Sequence, residues 1–427
     1  MAQAANQWQW AVAQQAQQTQ MIKPKRTSRS RSRTPRKQRH VTCSSTTSGP
    51  SSSSSSESAA SLHTEDVIKH FPYQAGMSLC DSEGAPRYSV MRLMGDGTFG
   101  RCLQCRSWRP DAQTVAVKVI RDVPRYRDSA RVEASILREI AWADTDGTSR
   151  CVRMLEDFTH GGRWYCLAFE PLGISLYDCL KSNSFRGLWM ADLQVVAREM
   201  LLGLEFCRKM RLTHTDLKTE NVLFAADGLY FDRFPRVETS PYGDLPYRRP
   251  YNPSVKLIDF GNATFSGDHH TAIINTRQYR GPEVVLGALS SAPQWDESSD
   301  MWSTGCILAE CYTGTLFFQC QDDDVQHLKM MEQAAGPFPA SFAARWQTNA
   351  FQYTLDGAPR VLWGPDEEHR AGALVRNQRR VQDLVGHRQH LAPFVELVQS
   401  LLQIDPSLRP SPAQALGCSF LHMPVAE

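Results

Sequence analysis

The sequence predicts an α+β protein of two lobes, a strand-rich smaller one followed by a helical larger one. Three observations lead there. A chain of 427 residues, 41% of them apolar, can fill a core too large for one small domain. Short runs of strand-like alternation crowd residues 88–170, and from residue 171 onward helical periodicity takes over. The globular part is therefore placed at 88–420, with its small lobe at 88–170 and its large lobe at 171–420.

The elements follow in order. Strands are expected at 88–94, 102–108 and 115–120, then at 152–158 and 164–169. A helix-like stretch, 127–142, interrupts them. The long helix expected over 192–210 rests on Leu193, Val196, Ala197, Met200, Leu201 and Leu204, which recur at helical spacing. Ahead of this lies a tail, residues 1–80, of Gln/Ala, then Arg/Ser, then the run Ser51 to Ser56. It has too few apolar side chains to offset the entropy of ordering, so disorder is expected.

The net charge of +2 hides an uneven distribution: nine Lys or Arg stand between Lys23 and Arg39 with no acid among them. That segment reads as a solvated tail, as a signal for a nuclear import receptor, or as a contact for RNA or acidic partners. Direct nucleic-acid binding is not expected. No run of about 18 apolar residues exists, so no membrane span is expected. The twelve cysteines are irregularly spaced and fit reduced thiols. Cys102 and Cys105 form a C-x-x-C, but strand alternation puts them on opposite faces, which is poor geometry for one metal.

Four segments carry chemistry. Gly95-Asp96-Gly97-Thr98-Phe99-Gly100, between two strands, can bring backbone N–H groups against phosphate oxygens; a glycine hairpin without ligand is an equal reading. Lys118 ends the strand Val115-Ala116-Val117, within reach of such phosphates, and Glu133 on the following helix offers a carboxylate to orient it, although each taken alone reads more simply as a solvated surface side chain. His214-Thr215-Asp216-Leu217-Lys218-Thr219-Glu220-Asn221 is followed by Asp259-Phe260-Gly261. Asp216 can accept a hydroxyl proton, Lys218 can neutralise a phosphoryl group, and Asn221 and Asp259 supply the oxygen ligands that Mg2+ requires.

These motifs make residues from Arg87 to about 420 resemble a eukaryotic protein kinase domain of the CMGC group, and within it the LAMMER, or CDC-like, kinases. Three passages carry the narrower resemblance. Thr215 precedes the catalytic aspartate where most kinases have arginine. The activation segment holds Asp268-His269-His270-Thr271 and Thr276-Arg277-Gln278-Tyr279-Arg280-Gly281-Pro282-Glu283. Gln326-His327-Leu328-Lys329-Met330-Met331-Glu332-Gln333 resembles the family's E-H-L-A-M-M-E-R and departs from it at Gln326, Lys329 and Gln333. Gly281 for alanine, Cys102 for valine and Thr219 for proline are further departures; none removes a catalytic group.

The resemblance implies a bilobal kinase fold, ATP and Mg2+ as cofactors, and Asp216, Lys218 and Lys118 as catalytic residues. It implies a nucleotide site of Met94, Gly95, Asp96, Gly97, Thr98, Phe99, Gly100, Cys102, Ala116, Lys118, Glu133, Phe169, Glu170, Leu172 and Leu223, with residues 170–172 as the hinge. Asn221 and Asp259 become the metal ligands. Asp300 should anchor the catalytic loop, and Glu283 should pair with Arg409. Residues 225–254 match the family's inserted hairpin, read equally as a generic loop or a substrate dock. Serine and threonine of basic, Arg-Ser-rich nuclear proteins are the implied substrates, with tyrosine autophosphorylation, and the nucleus the implied location, the cytoplasm staying open beside it. The alternative is a silent scaffold with a kinase fold. Because Thr215 cannot read a phosphate as arginine does, basal activity is expected without phosphorylation of Thr271 or Thr276.

Overall fold

The computed structural model describes residues 70–425 apart from 111, 235, 237–244, 291–293 and 347. The Arg/Ser and serine segments lie outside the described residues.

The small lobe is a six-stranded antiparallel sheet of β1 (Ser78–Cys80), β2 (Pro86–Asp96), β3 (Gly100–Ser107), β4 (Thr114–Ile120), β5 (Met154–His160) and β6 (Trp164–Phe169), in the order β1-β2-β3-β4-β6-β5. Alternation in β4 explains its two faces. Val115, Val117 and Val119 are buried with Leu103, Cys105, Cys166 and Ala168 in one core cluster, which leaves Ala116 and Lys118 on the other face. Cys105 joins that cluster and Cys102 does not, as alternation requires. Among the described residues no group of three or more His, Cys, Asp or Glu could hold a metal.

The boundary of the tail needs correction. Disorder was expected through residue 80, yet β1 pairs with β2, and Phe71 and Leu79 are buried in the same cluster as Val117. Phe71 packs edge-on against His160 and Trp164 at 5.6 and 5.3 Å, and its carbonyl accepts from Arg101 at 2.7 Å. Those partners lie far along the chain, so a short polar-looking stretch with few apolar residues finds its core only after folding.

Helix α1 (Pro124–Ala143) begins with proline at its first turn, where the missing N–H costs nothing, and so starts ahead of the expected 127. It buries Ala130, Glu133, Ala134, Leu137 and Ile140, one helical stripe.

The large lobe is built on α2 (Leu176–Ser182), α3 (Met190–Lys209), α4 (Pro282–Ser290), α5 (Ser298–Thr313) and α6 (Asp324–Ala335), with further helices at Pro365–Arg376 and Ala392–Leu401. Every residue of α5 from Ser299 to Tyr312 is buried, as for a helix at the centre of a lobe. Gly314 ends it with φ 80, the left-handed conformation that glycine adopts without cost. Among the described residues no helix is long and apolar enough to cross a membrane.

The expected insert contains a strand pair, β9 (Leu229–Asp232) with β10 (Tyr247–Pro250); β7 (Leu212–Thr213) and β8 (Val222–Phe224) precede it. Its inner side is tied down: Tyr247 stacks on Phe234 at 5.0 Å and donates to the Gly187 carbonyl at 2.8 Å, and Arg249 pairs with Asp192 at 2.8 Å. Glu283 and Arg409 form a bidentate pair at 2.8 and 2.7 Å with side-chain exposures of 1% and 0%, and Ser299 donates a third bond at 2.7 Å.

Candidate active site

The hairpin joining β2 to β3 carries Gly95 to Gly100 and is closed by the Gly97 N–H to the Gly100 carbonyl at 2.9 Å. Asp96 points away, paired with Arg101 at 3.0 Å and His70 at 2.8 Å. Phe99 lies edge-on to Tyr126 at 5.2 Å, and Met94 is exposed. Cys102 stands opposite both Gly95 and Lys118 in the sheet register, and burial pushes its thiol up to about 11. Ala116 pairs with Phe169 across β4 and β6.

Glu170 uses its N–H on the Arg153 carbonyl at 3.1 Å, while its carboxylate accepts from the Arg153 N–H and from Lys256 at 2.8 and 2.5 Å. Leu172 makes no backbone hydrogen bond among the described residues, whereas Gly173 binds the Phe224 carbonyl at 2.8 Å. Leu223, in β8, is half-buried.

Lys118 joins the lobes. Its ammonium lies 2.9 Å from Glu133 and 3.0 Å from Asp259. Burial pulls its pKa down, but the charges of Asp259 and then Glu133 outweigh this and hold it above the ordinary lysine value. Lys118 in turn holds Asp259 below the usual carboxylate range. Asp259 adopts φ 65 and ψ 65, a left-handed backbone uncommon outside glycine, asparagine and aspartate. The fully buried Phe260 beside it packs on the His214 ring at 4.9 Å.

Asp216 is held on three sides. Lys218 donates to Oδ2 at 2.8 Å, Thr276 donates to Oδ1 at 2.8 Å, and Asn221 Nδ2 donates to the Asp216 carbonyl at 2.9 Å. Lys218 also reaches the Thr276 hydroxyl at 3.3 Å. The loop itself hangs from α5: the N–H groups of His214 and Thr215 donate to Asp300 at 2.7 and 3.1 Å. The Asp216 N–H donates to His214 Nδ1 at 3.3 Å, so Nε2 carries the proton that meets the Ile258 carbonyl at 2.9 Å. Thr215 has φ 65 and donates its hydroxyl to the Asn262 carbonyl at 2.6 Å.

The donor set fits a hard divalent cation. Asn221 spends its amide nitrogen within the loop and Asp259 gives one oxygen, Oδ1, to Lys118, which leaves Asn221 Oδ1 and Asp259 Oδ2 for a metal. One carboxylate and one amide oxygen are what Mg2+ takes when phosphates and water complete its shell.

The structure thus brings together Lys118, Glu133 and Asp259, and separately Asp216, Lys218 and Asn221. It sets Met94 and Phe99 at the margin and turns Asp96 outward. Sequence reasoning took Thr276 only as a phosphorylation candidate, whereas its hydroxyl is bound to Asp216. Its position three residues before Tyr279, in the string leading to Pro282-Glu283, was the available signal.

A model of the protein kinase domain matches residues 88–421. The dual specificity protein kinase CLK4 of Mus musculus is 34% identical over 82% of this chain and 70% of its own length. The serine/threonine-protein kinase AFC1 of Arabidopsis thaliana is also 34% identical, over 83% of this chain and 74% of its own. A crystal structure of the PF14_0431 kinase domain is similar at a TM-score of 0.71 and 38% identity, covering 82% of this chain and 98% of that one.

Proposed function

Because the chain belongs to the protein kinase family, as a Ser/Thr, dual-specificity kinase of the CLK and AFC type, we propose that it phosphorylates basic, Arg-Ser-rich nuclear proteins from ATP with Mg2+. The observation that carries the chemistry is Asp216, whose carboxylate is aimed by Lys218 and Thr276. An incoming hydroxyl that approached Oδ1 beside Thr276 would find its proton acceptor there, while Lys218 faced the transferring phosphoryl group. Lys118, fixed by Glu133, would hold the phosphates. Magnesium, when bound at Asn221 and Asp259, would neutralise phosphate charge.

Thr215 is satisfied by Asn262, and Thr276 by Asp216, so the arrangement supports activity without an upstream kinase. Protein treated with phosphatase until its activation segment is unmodified should transfer phosphate to an Arg-Ser peptide, with kcat/KM about tenfold or more above an Ala-Ser analogue, and chelation of magnesium should stop it. Equal rates on the two peptides would remove the Arg-Ser assignment, and a hundredfold loss on dephosphorylation would remove the phosphate-independent one.

The basic run from Lys23 to Arg39 supports import through a nuclear receptor. Deletion of residues 1–40 is expected to leave peptide phosphorylation unchanged and to move a fluorescent fusion out of the nucleus. Unaltered nuclear accumulation would place the signal elsewhere.

A further inference from the structure

Beneath the catalytic loop lies a buried polar cluster with no role in the chemistry above. Thr219, fully buried, stands 3.3 Å from the Tyr279 phenol and 3.4 Å from Glu310 Oε1. Tyr279 donates to Glu310 Oε2 at 2.6 Å. Each group comes from a different segment: the catalytic loop, the activation segment and the central helix α5. The resemblance places a proline at 219, which has no side-chain polar atom; the hydroxyl is this chain's own.

We propose that Thr219 is a positioning residue, which with Tyr279 and Glu310 clamps the activation segment to the catalytic loop and so keeps Thr276 on Asp216. The connectivity is short. Thr219 follows Lys218, and Tyr279 is three residues from Thr276, so the two segments meet at two points, Thr276 with Asp216 and Lys218, and Tyr279 with Thr219.

The proton count favours a closed ring. Burial, with Glu220 nearby, pushes the Glu310 carboxyl up to about 8, so it keeps its proton at neutral pH. In the ionised form both Tyr279 and Thr219 donate to Glu310; with the proton on Oε1 the second bond reverses, so that Glu310 donates to Thr219 and Thr219 donates to Tyr279. Each member then donates once and accepts once. With proline at 219 the carboxylic proton would lose its acceptor in a buried site. The groups facing Glu310 are Tyr279 and Thr219, Glu220 in the catalytic loop, Tyr177 on α2, and Cys306 and Cys311 on its own helix. None is a cation that could hold the carboxylate ionised.

The sign of the pH dependence follows. The folded protein retains this proton above the ordinary carboxylate range, so the ring is complete below about pH 8 and is lost as pH rises through that value. Lys118 and Lys218 have their own values raised and stay charged across that window.

The inference rests on the kinase reading, and the test separates the two. Phosphate transfer by the full chain is measured on an Arg-Ser peptide and on myelin basic protein; a wild type inert toward both would count against the kinase reading and not against Thr219. Thr219→Val, which keeps the shape and removes the hydroxyl, should lower kcat by about tenfold or more with KM for ATP held, and Thr219→Ser should recover most of it. Glu310→Gln, whose amide can donate and accept as the neutral carboxyl does, should carry the alkaline limb of the pH–rate profile to higher pH. Wild-type kcat in Thr219→Val, an equal loss in Thr219→Ser, or an unmoved alkaline limb in Glu310→Gln each overturns the proposal. Should Thr219→Val fail to fold in a thermal melt, the Glu310→Gln profile decides alone.

Discussion

Replacing Asp216 with asparagine is expected to lower kcat by about a thousandfold or more while leaving KM for ATP within about twofold. The amide keeps the shape of the carboxylate but cannot take a hydroxyl proton, and it presents a donor where Lys218 and Thr276 now donate. The proposed nucleotide contacts lie elsewhere, around Lys118, Glu133 and Asp259. The measurement is single-turnover transfer from radiolabelled ATP, with nucleotide affinity taken by titration. Turnover within tenfold of wild type would mean that Asp216 is not the proton acceptor, and a matching loss of ATP affinity would mean that it serves binding.

Arg409→Met is expected to lower the unfolding free energy by about 3–5 kcal/mol, because it strands a fully buried carboxylate. Glu283 would retain the Ser299 hydroxyl, at 2.7 Å, and its own backbone N–H. In the wild type, burial raises the Glu283 pKa, but the Arg409 charge and its hydrogen bonds bring it below the ordinary carboxylate value. The pair therefore contributes stability above that ordinary value and loses it as pH falls through the folded one. Without Arg409 burial prevails, the folded pKa rises, and stability should increase on acidification. Urea unfolding at two pH values, near 5 and near 8, reads the reversal. Adding Glu283→Gln to Arg409→Met should recover part of the loss, since an amide costs less to bury than an unpaired charge.

The strands of the small lobe were legible to within a few residues because a half-buried sheet imposes alternation, as β4 does with its three valines. The edge strand β1 was not, because its anchors, Phe71 and Leu79, are too sparse to make a pattern and are fixed by His160 and Trp164, far away in sequence. The candidate site divides in the same way. Lys118, Asp216, Asn221 and Asp259 could be picked out because phosphate and metal chemistry restrict residue type at set spacing. Contacts such as Thr276 with Asp216, or Thr219 with Tyr279, join segments about 60 residues apart. Nothing local in the sequence marks them, and Thr219 looked only like a missing proline.

Thr215 carries one more consequence. Where a loop is steadied by a guanidinium answering a phosphate, its order can be dissolved by raised salt or by an enzyme that strips the phosphate away. Here the corresponding residue is steadied by an uncharged hydroxyl bond to Asn262 and by its own N–H on Asp300, both away from solvent. Ions in the medium have little hold on such bonds, and a phosphatase has none. The order of this loop is therefore expected to survive raised salt and phosphatase treatment alike.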